Sequence, residues 1–121
     1  MSAVQSLNDF FAAWTEEDPD GRANLIGSAI GEGFYYLDPQ TPEPITSGEA
    51  MSGYADMFRQ NCPPGAKCEV IEPVDEKGGH ARATVRFIMN ADQQMTGQYF
   101  IDHDADGKIT RMVGFVGKGA E

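Results

Sequence analysis

Positive charge is scarce in this 121-residue chain: nine Lys and Arg stand against nineteen Asp and Glu, for a net charge of −10. Such a surface repels phosphate backbones and anionic lipid, so neither nucleic acid nor a membrane surface is expected as a partner. The acids are scattered rather than run together, which reads as a solvated surface. Long apolar runs are also missing. The longest, FFAAW at 10–14, falls far short of the roughly 20 residues a membrane helix requires. No basic residue precedes Arg22, so the positive n-region of a secretory signal is lacking and a cytoplasmic location is expected. Cysteine is limited to Cys62 and Cys68, on either side of Pro63-Pro64. In a reducing compartment both are expected as free thiols. With neither a C-x-x-C spacing nor a nearby histidine to complete a ligand set, no metal is expected there.

What is present suffices for one core. A hydrophobic content of 40% over residues 1–121 is that of a single compact domain. Leu7, Phe10, Phe11 and Trp14 recur at three and four, the stripe of an amphipathic helix that Asp18-Pro19-Asp20-Gly21 ends. A second helix carries Leu25, Ile26, Ala29 and Ile30, weakened by Gly27 and Gly31. Phe34 to Leu37 reads as a short strand, and prolines 39, 42 and 44 hold the next segment extended. Thr46 with Glu49 matches a capping box for a third helix, with Met51, Tyr54, Met57 and Phe58 on its buried side. Beyond Pro63-Pro64-Gly65 the period changes to two. Turn-rich breaks at 75–79, 90–92 and 104–107 divide the rest into four strands. Short turns impose antiparallel pairing, so the expected class is α+β, with three helices on one face of a curved, mostly antiparallel sheet. In the last strand Met112 and Val116 face one way while Val113 and Phe115 face the other. Both faces are apolar, and a homodimer through the sheet is the expected cover.

Several motifs have a plain structural reading beside a chemical one. DHDADG at 102–107 imitates the start of a calcium-binding EF-hand loop, but position twelve is Val113 rather than Glu and the flanks are strands. It reads as a hairpin turn, with Gly107 supplying positive φ. His103 shares the parity of Tyr99 and Ile101 and is either a pocket group or a strand-end histidine near solvent. His80, after Gly78-Gly79, reads as exposed. Trp14, Tyr54, Phe58, Phe87 and Met112 are at core spacing, though Trp14 and Tyr54 carry a polar handle that needs a partner when buried. Asp38, followed by Pro39, has the pattern of a turn initiator.

Taken in order, these elements resemble the nuclear transport factor 2-like superfamily, in particular its ketosteroid isomerase and SnoaL-like polyketide cyclase branches. The resemblance covers nearly the whole chain. It is carried by YYLDPQTPEPITSGEAMSGY at 35–54 and GQYFIDHDADGKITRMVGF at 97–115. It implies a cystatin-like topology, a cone whose helices close one end and leave an apolar pocket for a small hydrophobic organic molecule, with no metal or organic cofactor. In the steroid isomerases an acid before a proline moves a proton beside a carbonyl, and a tyrosine and a protonated aspartic acid hold the oxyanion. By resemblance Asp38 takes the place of the base. Phe10 stands where the tyrosine belongs and Tyr99 where the second acid belongs, so steroid isomerisation itself is not implied. Tyr99 remains as an oxyanion donor. Trp14, Tyr54, Phe58, Ile101, His103, Met112 and Val116 are the expected ligand-binding residues, with Trp14, Tyr54 or His103 available as a second donor. Two readings stay open: a cofactor-independent isomerase, cyclase or dehydratase, and a non-catalytic binding or dimerisation module.

Overall fold

The structure, a computed structural model, describes residues 2–117. Three helices, α1 (Ala3–Ala13), α2 (Pro19–Ala29) and α3 (Gly48–Asn61), join five strands: β1 (Ile30–Leu37), β2 (Lys67–Lys77), β3 (His80–Asn90), β4 (Gln93–His103) and β5 (Ile109–Val116). The sheet order is β1-β5-β4-β3-β2. β2 to β5 form the expected antiparallel meander, while β1 lies parallel to β5 at the edge. The class is α+β with a mixed sheet.

Each helix starts where the chain offers a side-chain acceptor to its orphan amides. Ser2 accepts from Gln5 N, Asp18 from Gly21 N with Pro19 in the first turn, and Ser47 from Ala50 N. The third cap corrects the capping box read from the sequence, because Ser47 rather than Thr46 accepts the amide. The second helix also ends earlier than its apolar stripe suggests. Ile30 is its C-cap in extended conformation, so β1 starts at Ile30 and not at Phe34.

The core sits between the helices and the inner sheet face. Leu7, Phe10, Phe11 and Trp14 of α1 pack with Ile26, Met51, Phe34 and Tyr36, and with Val85, Phe87, Tyr99, Ile101 and Met112 of the sheet. Arg22 is the buried charge among them; it pairs with Asp56 and donates to Glu16 O, tying α2 to α3 and to the end of α1. Gly114 pairs with Tyr99 across β4 and β5. A Cβ there would lie 2.5 Å from a carbon of the Tyr99 ring, so only glycine lets that ring lie flat across the strand. On the opposite face Phe100 and Phe115 are exposed and meet edge to face, with ring centroids 5.8 Å apart.

At the DHDADG segment, Asp104 Oδ1 accepts from Asp106 N and Lys108 N, and Gly107 has φ 80°. This is a hairpin turn between strands. Among the described residues no His, Cys, Asp and Glu side chains gather into a group that could hold a metal ion. Cys62 and Cys68 are free thiols. Burial pushes Cys68 up to about 12.

Candidate functional site

Asp38 follows the end of β1, where the chain turns back on itself. Tyr36 and Ile45 exchange two backbone hydrogen bonds of 2.9 Å, so the proline-rich segment folds over as a short flap beside the strand. Inside that turn Asp38 Oδ1 accepts from Gln40 N at 2.8 Å and from Thr41 N at 3.0 Å. Asp38 is thus a turn initiator, as acid-proline suggests.

It is also the centre of a phenol cluster. Tyr36 donates its hydroxyl to Asp38 Oδ2 at 2.5 Å, and Tyr54 of α3 places its hydroxyl 2.9 Å from both carboxylate oxygens. A carboxylate offers about four lone-pair sites, and four donors already point at this one. The Tyr36 and Tyr99 rings stack with centroids 6.4 Å apart, and their hydroxyls lie side by side. The Tyr36 proton goes to Asp38, which leaves the Tyr36 oxygen as the acceptor beside the Tyr99 hydroxyl.

Burial pushes all three phenols upward in pKa. For Tyr36, coupling to Tyr99, the negative charge of Asp38 and the hydrogen bonds to both add to that rise. For Tyr54, the hydrogen bond to Asp38 adds to it. For Tyr99, burial outweighs the opposing effect of its hydrogen bond with Tyr36. The phenols are therefore neutral donors throughout the physiological range.

Trp14, Asp38, Tyr54, Phe58, Phe87 and Tyr99 wall a cavity of about 80 Å³, whose mouth is formed by Gln40, Met95, Phe115 and Val116. That is several times the roughly 10–15 Å³ one water needs, and below the ~300–1,000 Å³ of most small-molecule pockets. Among the described residues no Lys, Arg or His lines it. Trp14 is 3% exposed and its Nε1–H has no partner among the described residues. A buried, unpaired donor is costly, so the wall offers Trp14 Nε1–H as a free donor, near a Tyr99 O–H that meets only a neutral phenol.

Of the residues expected from the sequence, Asp38, Tyr99, Trp14, Tyr54, Phe58 and Val116 meet at this cavity. Three do not. Ile101 and Met112 pair across β4 and β5 within the packed core, because Phe10 and Phe11 fill the cone at their level. His103 is at the other end of β4, with Nδ1 3.2 Å from Asp104 O and Nε2 3.7 Å from Glu76, and is the strand-end histidine rather than a pocket group. Phe10 is fully buried against Tyr36, with ring centroids 5.8 Å apart. Tyr36 went unnoticed as a site residue. Its spacing of two from Asp38 within a strand is the signal that puts both on one side.

No known family profile matches the chain, and no curated protein matches it. Solved structures do. A candidate isomerase of the SnoaL-like family from Agrobacterium tumefaciens superposes with a TM-score of 0.81 at 26% identity, over 96% of this chain and 97% of that one. A candidate ketosteroid isomerase from Kribbella flavida gives 0.62 at 22% identity, over 98% and 80%. A nuclear transport factor 2-like protein of unknown function from Exiguobacterium gives 0.66 at 18%, over 93% and 98%. The chain has the nuclear transport factor 2-like fold. The superfamily resemblance read from the sequence therefore holds, while these neighbours, mostly of unknown function, specify no activity or ligand. Within the nuclear transport factor 2-like frame, the site described above lies between α1, α3 and the sheet.

Proposed function

We propose that this protein binds a small neutral carbonyl compound in the aromatic cavity and moves a proton beside its carbonyl, as a cofactor-independent isomerase, cyclase or dehydratase. The observation that carries the reading is the meeting, in one aromatic wall, of the Asp38 carboxylate with the Tyr99 hydroxyl and the unpaired Trp14 Nε1–H. Tyr99 donates to the carbonyl oxygen, and Trp14 Nε1–H is the second donor. Asp38 takes the α-proton, the electron pair moves onto the oxygen as an enolate held by Tyr99, and the carboxyl returns the proton to carbon. Donors fixed in place before the reaction are effective because they need no reorganisation when the charge develops.

The substitution Asp38→Asn tests this. Deuterium exchange at the α-carbon of cyclohexanone should fall about 100-fold or more, in line with the loss of a general base, while binding followed by ligand-observed NMR persists. Undiminished exchange would remove Asp38 from the chemistry. One observation favours the alternative, a binding module without catalysis: Asp38 already receives as many donors as it can accept. On that reading wild-type protein binds the ketone and exchanges nothing. The proposal includes a homodimer through the outer sheet face, where Phe100 and Phe115 are exposed.

A further inference from the structure

Tyr54 lines three neighbouring hollows at once. One is the aromatic cavity. The second is a groove of about 290 Å³ shared with Gln40, Met57, Phe58, Asn61 and Met95, and the third is a groove of about 420 Å³ along the proline-rich flap from Thr41 to Thr46. The ring is thus part of the partition, with Gln40, Phe58 and Met95, between the small cavity and the larger groove beside it.

Its hold on Asp38 is also the loosest of the four. Tyr36 gives its proton to one oxygen at 2.5 Å and the two amides approach Oδ1 at 2.8 and 3.0 Å, whereas Tyr54 divides a single proton between two oxygens, each 2.9 Å away. A shared proton cannot align well with both acceptors. Tyr36 is locked in the core at 0% exposure, while Met57 and Met95 beside the Tyr54 groove are 57% and 49% exposed. Unbranched thioether side chains adapt easily when a ring moves against them.

We propose that Tyr54 is the specificity-determining residue of this site: its ring limits the guest to one small ring, and its outward swing both joins the cavity to the Met57–Met95 groove and frees an Asp38 lone pair. The size limit follows from the partition. The freed lone pair resolves how a carboxylate with four donors accepts a fifth proton, and this part rests on the carbonyl reading above. Tyr54 acts through Asp38 and through space, and takes no proton from the guest.

Two variants and two ketones test the proposal, with binding read by ligand-observed NMR and turnover by α-deuterium exchange. Wild-type protein should take up cyclohexanone and exclude the two-ring 2-tetralone. Tyr54→Ala should admit 2-tetralone with at least a tenfold gain in affinity. Tyr54→Phe, which keeps the ring and loses the hydroxyl, should keep the exclusion and raise cyclohexanone exchange about fivefold, the weight of one ordinary hydrogen bond. Should Tyr54→Ala fail to fold, Tyr54→Leu replaces it, because leucine cannot span the same gap. A Tyr54→Ala or Leu protein that still refuses 2-tetralone overturns the partition, and a Tyr54→Phe protein with exchange abolished overturns the release of Asp38. If no protein exchanges deuterium but the size shift appears, the partition stands and the proton-transfer reading fails.

Discussion

Two tyrosines, one substitution each, separate a hydroxyl that meets a carboxylate from one that meets a neutral phenol. In Tyr36→Phe the fully buried ring stays and only the donor to Asp38, at 2.5 Å, is lost. A hydrogen bond to a charged group contributes about 1.5–3 kcal/mol. Because Tyr54 and two amides still serve the carboxylate, the lower part of that range, about 1.5–2 kcal/mol, is expected. For a domain of this size that corresponds to a fall in Tm of roughly 5–10 °C. Tyr99→Phe removes a hydroxyl that meets only the neutral Tyr36 oxygen, so its cost should be smaller, about 0.5–1 kcal/mol. Urea unfolding of both variants, with the slope against denaturant unchanged, gives the comparison directly. Equal losses, or a larger one for Tyr99→Phe, would refute the hydrogen-bond assignment on which the site rests.

Other expectations follow from the same geometry. Burial, first among the causes, raises the pKa of Tyr36, Tyr54 and Tyr99 above the ordinary 10.0 of a phenol. Their contribution to stability is therefore full below about pH 10 and is lost as pH rises through the folded values. In an alkaline titration their tyrosinate absorbance should appear together with loss of the circular dichroism signal, and ionisation well before unfolding would contradict their burial. Gly114→Ala puts a methyl 2.5 Å from the Tyr99 ring and should cost about 1–3 kcal/mol, with a changed near-ultraviolet spectrum; a silent substitution would mean that the ring is not packed there. If the proposed dimer forms through the outer sheet face, replacing Phe100 and Phe115 together by Lys should convert it to a monomer in sedimentation velocity, and an unchanged sedimentation coefficient would contradict that proposal.

Local signals in the sequence were strong where the fold is local. The Leu7–Phe10–Phe11–Trp14 stripe, the Asp18-Pro19 break and the three turns between β2 and β5 each depend on contacts a few residues away, and each has its counterpart in the structure. The parallel pairing of β1 with β5 has no such signal, since no turn joins the two strands. Gly31, in the first half of β1, reads from the sequence as the weakened end of the second helix. The cap of α3 slipped by one because Thr46 and Ser47 are both hydroxyl residues, and the Glu three positions after Thr46 favoured the wrong one. Within the site, strand parity identified the correct face but not the depth. Ile101 and Met112 do face inward, yet the rings of Phe10 and Phe11 occupy that depth and confine the cavity to the end near Asp38. How far a helix plugs a cone depends on packing among residues distant in sequence, which spacing along one strand does not encode.

The central claim, a cavity that holds a small carbonyl compound against Tyr99, is tested most directly by crystals of the protein soaked in cyclohexanone. The account predicts electron density for one ring between Trp14, Phe58 and Phe87, with its oxygen at hydrogen-bonding distance, roughly 3 Å, from the Tyr99 hydroxyl. A cavity closed by the side chains around it, with no ketone density at a concentration that saturates the solvent channels, would contradict it.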